Sequence, residues 1–497
     1  MNELNSTDSQ ADSRNNTNLG KNTVLNTIKT VFSIIFPLIT FPYVSRILGV
    51  ENVGKINYGN SIVSYFSLIA GLGISTYAIR ECSKVRDDND KLSDTASQII
   101  SINILSTVIS YVALFITLSF ASKLDPYREL IIIQSTVIVF TTLGADWLNT
   151  AMEDFKYITI RTISAQFVSL LLMFIFVRHT EDYITFAIIS VLASSGANVV
   201  NIIYRRRFCR MRFTIQIDWK RHLPHILLLF SMLLSQTIYT SSDTTMLGLM
   251  KSDYQVGLYS TSVKIYNMVN QVVASIAYVL MPGLSKCFAE KNYSKINETL
   301  RYGLSYIVTL GVPCLIGLNT ITVPIIYTVA GKNYLPAAIS LHILTVALLF
   351  SFIGGFFGNL IMLPSGREKI CLMINIISAV LNFGLNLIMI PRWGLNAAAF
   401  TTAVSNMVGM IISLRFVEKE IKIYRISEII KAPLIGGIGI LIISAVIRIL
   451  VTNNYMITLL TILLSTVEYA WVLYILKNEF FMNFLESLKR KFIKNKN

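Results

Sequence analysis

Residues 96–120 read ASQIISINILSTVISYVALFITLSF, a run without a charge, a glycine or a proline. At 1.5 Å of rise per residue, such a helix reaches roughly 37 Å, enough to cross a hydrocarbon core about 30 Å thick. A membrane barrel strand would instead show about ten residues of alternating polarity. Lipid offers no water to bare backbone groups, so a uniformly apolar run of this length must satisfy its own hydrogen bonds as a helix. Working outward, comparable runs recur over 24–48, 56–79, 129–149, 157–177, 183–204, 223–250, 256–281, 302–328, 334–363, 370–390, 395–416, 430–450 and 455–476. The expectation is an all-α polytopic membrane protein with about 14 transmembrane helices. Composition agrees, since 53% of the 497 residues are hydrophobic and 14% charged, against about 25% charged in soluble domains.

A formal charge of +15 would raise nucleic acid as a partner of a soluble chain. Here the charge follows loop parity: alternate loops and the two tails hold 32 of the 43 Lys and Arg residues, and the opposite ends hold nine. That asymmetry places both termini in the cytoplasm of a multi-pass inner-membrane protein and removes nucleic acid as a partner. Residues 1–22 are polar, lack an apolar signal core and read as a disordered cytoplasmic tail. The densest basic segment, Arg205, Arg206, Arg207, Arg210, Arg212, Lys220 and Arg221, reads as a topology anchor against anionic lipid. None of the five cysteines falls in an outer loop, so no disulfide is expected.

The basic linker, 205–222, separates two similar halves, 23–204 and 223–416. Arg46-Ile-Leu-Gly49 followed by Val53-Gly54 is echoed by Met246-Leu-Gly248 followed by Val256-Gly257-Leu-Tyr259. Trp147-Leu-Asn149 is echoed by Phe357-Gly-Asn359. Two pseudo-symmetric six-helix bundles are the expected layout, and a parallel repeat of this kind places a transport path at the repeat interface. Residues 430–476 form an appended helix pair, and 477–497 a basic cytoplasmic tail.

Several motifs stand in a fixed order along residues 22–476. They include Pro37-x4-Pro42-x3-Arg46-x-Leu48-Gly49, Tyr77-x2-Arg80-Glu81, Glu153-Asp-Phe-Lys-Tyr157, Asp243-x2-Met246-Leu-Gly248, Met281-Pro282-Gly-Leu-Ser285, Pro364-Ser-Gly366-Arg367-Glu368 and Asn382-x3-Asn386-x4-Pro391-x2-Gly394. In this order the chain resembles the Wzx-type polysaccharide repeat-unit flippases of the multidrug/oligosaccharidyl-lipid/polysaccharide superfamily. The resemblance implies a carrier rather than an enzyme, moving an undecaprenyl-diphosphate-linked oligosaccharide outward by alternating access. It also implies a polysaccharide polymerase and a chain-length regulator as partners. Drug/cation antiporters and other lipid-linked precursor flippases share that fold, and fold alone does not choose among them. A polytopic polymerase or ligase is a more distant alternative, since every outer loop here is short.

Ionisable groups within spans are expensive and tend to face a cavity or a partner. Lys29, Arg46 and Lys264 are candidate cavity cations for the diphosphate, for which Lys and Arg are natural partners. Asp243 and Glu468 are candidate sites for coupling to H⁺ or Na⁺. By depth along their spans, Asp243 and Lys264 could also form one buried pair, and Asp146 and Arg161 a second, structural one. No Gly-x4-Gly-Lys-Ser/Thr motif is present, no cofactor is implied, and His222 and His225 lack the carboxylate or thiol company of a metal site.

Overall fold

The computed structural model describes residues 4–417, 421 and 424–494. Among them every regular element is helical. Among the described residues, eleven helices are long and apolar enough to cross a membrane, or twelve if one bent pair counts as a single span. The difference from the expected count has local causes. Ile35–Lys84 passes as one stretch of 50 residues where two spans are expected, and Arg128–Gly144 has only 17 residues. Outward faces carry the surface that lipid would cover: Ile109 is 62% exposed and Val467 69%.

The chain divides into two compact units, Met1–Ser241 and Ser242–Asn497. The first contains α1 (Leu4–Gly71), α2 (Ile74–Lys84), α3 (Asn89–Phe120), α4 (Arg128–Gly144), α5 (Asp146–Ala151), α6 (Phe155–Phe176), α7 (Tyr183–Val191) and α8 (Ala197–Tyr204), and most of α9 (Trp219–Met250). Residues 4–22, read as a disordered tail, continue α1, because a helix already nucleated by apolar sequence extends into polar sequence without a new nucleation step. Gly49 (φ 74°, ψ 175°) breaks α1 internally.

A second break, at Leu72 and Gly73 with φ 45° and 74°, frees carbonyls that a continuous helix would use. Asn103 Nδ2 and Ser106 Oγ of α3 both donate to Ala70 O, at 2.8 and 2.6 Å. Ser110 Oγ donates to Phe66 O at 2.6 Å, so polar side chains of α3 zip it onto α1 inside the bundle. The boundary between units falls in α9, not in the linker 205–222. That linker is hydrogen-bonded along α3 and belongs to the first unit.

The second unit continues α9 and adds α10 (Asp253–Ala274), α11 (Ile276–Ala289), α12 (Tyr293–Thr320), α13 (Thr322–Val329), α14 (Ala338–Gly355), α15 (Glu368–Trp393), α16 (Leu395–Arg415), α17 (Ile426–Leu450), α18 (Asn454–Ile475) and α19 (Glu479–Lys494). Each unit has a proline-bearing 3₁₀ turn, Ser122–Tyr127 before α4 and Lys332–Ala337 before α14, and a π-helical turn, Leu192–Gly196 and Phe356–Met362. The pair α17 and α18 packs on α12, where Tyr469 Oη donates to Thr309 O at 2.8 Å. Within the basic tail, Glu479–Lys494 is helix α19. Arg301 of α12 pairs with Glu479 at 2.8 Å, and Phe480 meets the rings of Tyr302 and Tyr306.

Candidate cation site and intramembrane charges

Two helical hairpins of the second unit are clamped together at one end. Gly394 (φ 58°, ψ −133°) turns α15 into α16, a backbone position that glycine adopts most readily. Leu395 N donates to Gln255 Oε1 at 3.1 Å, and Lys251 Nζ donates to Pro391 O at 2.7 Å, tying that turn to the turn between α9 and α10. Fully buried Ala398 and Ala399 let α16 approach closely. The clamp brings one carboxylate, Asp243 of α9, against α10, α15 and α16.

Asp243 is 5% exposed and receives three donors. Tyr259 Oη and Thr402 Oγ1 donate to Oδ2 at 2.5 and 2.7 Å, and Asn386 Nδ2 donates to Oδ1 at 2.5 Å. An outer ring holds these groups in place. Asn386 Nδ2 also donates to Asn382 Oδ1 at 3.1 Å, Ser242 Oγ donates to the same oxygen at 3.2 Å, and Thr401 Oγ1 donates to Asn386 Oδ1 at 2.5 Å. Burying a carboxylate in an apolar setting is tolerable only with such compensation.

The donor set of this cluster would suit a hard, monovalent cation. It supplies one negative charge and several neutral oxygens, with no sulfur or imidazole. Rotating the Thr402 and Tyr259 hydroxyls and turning over the Asn386 amide would present oxygens instead of donors to the centre. The same carboxylate can alternatively take up a proton. Either event exchanges internal hydrogen bonds for a bound cation, and the four helices that contribute would feel the exchange together.

The other intramembrane charges are dispersed. Lys264 of α10 is half-buried, and Asp243 accepts from Tyr259, Asn386 and Thr402. Lys29 and Arg46 both lie on α1, half-buried and exposed respectively. They stand 17 residues apart, or about 25 Å along a helix, so the first unit does not gather them. Asp146 and Arg161 are joined in an ion pair, with Arg161 also over the ring of Tyr157. Glu468 of α18 lies against Gly439 of α17, its Oε2 buried without a hydrogen-bond partner among the described residues, on the same side chain stripe as Thr461 and Ser465. His222 bridges Tyr77 Oη (2.7 Å) and Gln98 Oε1 (3.2 Å) within the first unit.

Sequence reasoning singled out Asp243 but not Tyr259, Asn382, Asn386, Thr401 or Thr402 as its partners. The available signal was Asn382 and Asn386, two amides one helical turn apart on one face of an otherwise apolar span.

Comparison with known proteins agrees with this architecture. A family model described as "Polysaccharide biosynthesis protein" matches residues 19–288. A putative O-antigen transporter of Shigella dysenteriae is 23% identical over 407 residues, which covers 80% of this chain and 96% of that protein. Among solved structures, a lipid II flippase MurJ in an inward closed conformation superposes with a TM-score of 0.73 at 18% identity, over 93% of this chain and all of that one. An inward-facing multidrug resistance MATE family transporter gives 0.58 at 15% identity, over 80% of this chain and 97% of that one. At such identities these structures establish a shared fold.

Proposed function

The chain belongs to the polysaccharide biosynthesis protein family, and from that membership we propose that it is a flippase carrying undecaprenyl-diphosphate-linked oligosaccharide units across the inner membrane. Its driving force is entry of H⁺ or Na⁺ at Asp243. The observation that carries the coupling is the buried Asp243 carboxylate, met by side chains from three further helices within one membrane unit. Binding at this point biases the packing of α9 against α15 and α16, the kind of two-state element that alternating access needs.

The chain crosses the membrane 14 times in this reading. Ile35–Lys84 contributes two crossings separated at Gly49, Arg128–Gly144 with α5 contributes one, and the bent pair α10 and α11 contributes one more. The crossings form two six-helix bundles plus the pair α17 and α18, with both termini cytoplasmic, as the 32 inner Lys and Arg residues favour. Lys29, Arg46 and Lys264 supply the positive potential that attracts the diphosphate. A polymerase and a chain-length regulator receive the exported unit.

The test is export in a bacterial cell that lacks its own repeat-unit flippase. The intact chain restores surface polysaccharide, and a Lys264→Ala chain that inserts normally does not. Normal export by Lys264→Ala would remove Lys264 from the substrate path. Resistance to cationic drugs with no restored polysaccharide would instead favour the antiporter of the same fold.

A further inference from the structure

The basic linker of the first unit is not a free loop. Along α3, Ser93, Ser97 and Ser101 recur every four residues, and their hydroxyl oxygens accept the backbone N–H groups of Arg210 (3.4 Å), Arg212 (3.0 Å) and Thr214 (2.9 Å). Two rises match here. Four residues of helix advance about 6 Å and two of extended chain about 6.6 Å, so the linker runs parallel to α3 with alternate N–H groups in register. Asp218 N, donating to Gln98 Oε1 at 3.0 Å, closes the strap.

Between strap and helix lies an open groove of about 620 Å³ with charges of both signs. Arg206, Arg210 and Arg212 line one side, and Asp90 and Asp94, one turn apart on α3, line the other. Among the described residues none of these five makes an ion pair within 4.0 Å, and Asp94 accepts from Gln98 Nε2 at 2.9 Å. The serine ladder fixes the strap's backbone along α3, while the guanidinium and carboxylate groups stay exposed. Beside them, Phe213 is 56% exposed and Ile215 85%, and Trp219 opens α9 at 43% exposure, the apolar and aromatic company of a membrane interface.

We infer that this groove binds the headgroup of a zwitterionic aminophospholipid of the phosphatidylethanolamine class. The phosphate lies against Arg206, Arg210 and Arg212, and the primary ammonium against Asp90 and Asp94. A purely anionic headgroup would satisfy the arginines but meet two carboxylates. A phosphatidylcholine headgroup carries its positive charge without N–H donors and forms no hydrogen bond to Asp90 or Asp94. A headgroup bearing both charges completes the groove on each side, and Phe213 and Ile215 enter the acyl boundary next to it.

The experiment is native mass spectrometry of the purified full chain with phosphatidylethanolamine, phosphatidylglycerol or phosphatidylcholine of matched acyl chains. The unmodified chain should retain phosphatidylethanolamine at least roughly fivefold better than phosphatidylcholine, the scale of two exposed ion pairs. Asp90→Asn with Asp94→Asn should abolish that preference and raise retention of phosphatidylglycerol. Arg210→Gln with Arg212→Gln should lower retention of all three phospholipids relative to an unrelated site. All four side chains are exposed, and an unchanged thermal unfolding midpoint identifies folded variants. Equal retention of phosphatidylethanolamine and phosphatidylcholine by the unmodified chain would overturn the inference, as would an unchanged preference in the folded Asp double variant.

Discussion

Asn386→Ala is the most informative perturbation of the cation site. The amide makes a charge-assisted hydrogen bond to Asp243, a neutral one to Asn382 and accepts one from Thr401. A bond to a charged group contributes about 1.5–3 kcal/mol and a neutral one about 1 in soluble proteins. In membrane bundles, side-chain bonds average only about 0.6 kcal/mol each. These limits bracket a loss of about 2–5 kcal/mol. Most of it arises because Asp243, 5% exposed, loses the Asn386 donor to Oδ1. Removing the charge as well should return part of the loss, so Asp243→Asn and Asn386→Ala should be coupled by more than 1 kcal/mol. The assay is reversible unfolding in mixed micelles titrated with a denaturing detergent, followed by tryptophan fluorescence for both single variants and the double. Additivity within about 0.5 kcal/mol would refute the reasoning, because independent sites add to that tolerance.

Four further outcomes are expected. Asp146→Ala leaves Arg161, whose side chain is 6% exposed, as a buried unpaired cation and should cost about 3 kcal/mol. Arg161→Met keeps the packing and deletes the charge, so it should cost less than half of that in the same unfolding assay. Gly439→Ala places a methyl group on the Glu468 carboxylate and should destabilise by about 1–3 kcal/mol, with recovery in the Gly439→Ala, Glu468→Ala double variant. Burial pushes the Cys209 thiol up to about 11, against an opposing pull from Arg205. Since the thiolate is the nucleophile, maleimide labelling of Cys209 should be slow at neutral pH and accelerate tenfold per pH unit until the pH approaches that value.

Spans were legible because apolar length is a property of the chain itself, and it located the helices well. Their number was harder to match, since two helices meet at Gly49 with no loop between them and Ala145, at φ 48°, stops α4 one turn before its apolar run ends. Asp146 and Arg161 could be placed together from depth alone, because α5 and α6 are joined by a turn. Depth also put Asp243 level with Lys264, but depth says nothing of azimuth. The carboxylate faces α15 and α16, more than a hundred residues away in sequence, and its partners appear only when those helices pack. The serine ladder was hidden for a related reason. Its helical half has a readable period of four, but the strap that fills it is irregular chain whose register is set by α3.

Translocation in sealed vesicles tests the central claim most directly. Purified chain is reconstituted with a fluorescent undecaprenyl-diphosphate oligosaccharide, and the fraction reaching the opposite leaflet is followed by quenching, with and without an imposed sodium or proton gradient. Translocation should require the protein and accelerate with one of the two gradients, and Asp243→Asn should remove the acceleration while the protein remains inserted. Rates equal to those of protein-free vesicles would contradict the flippase, and an Asp243→Asn chain that responds to the gradient like the unmodified one would contradict the site assigned to drive it.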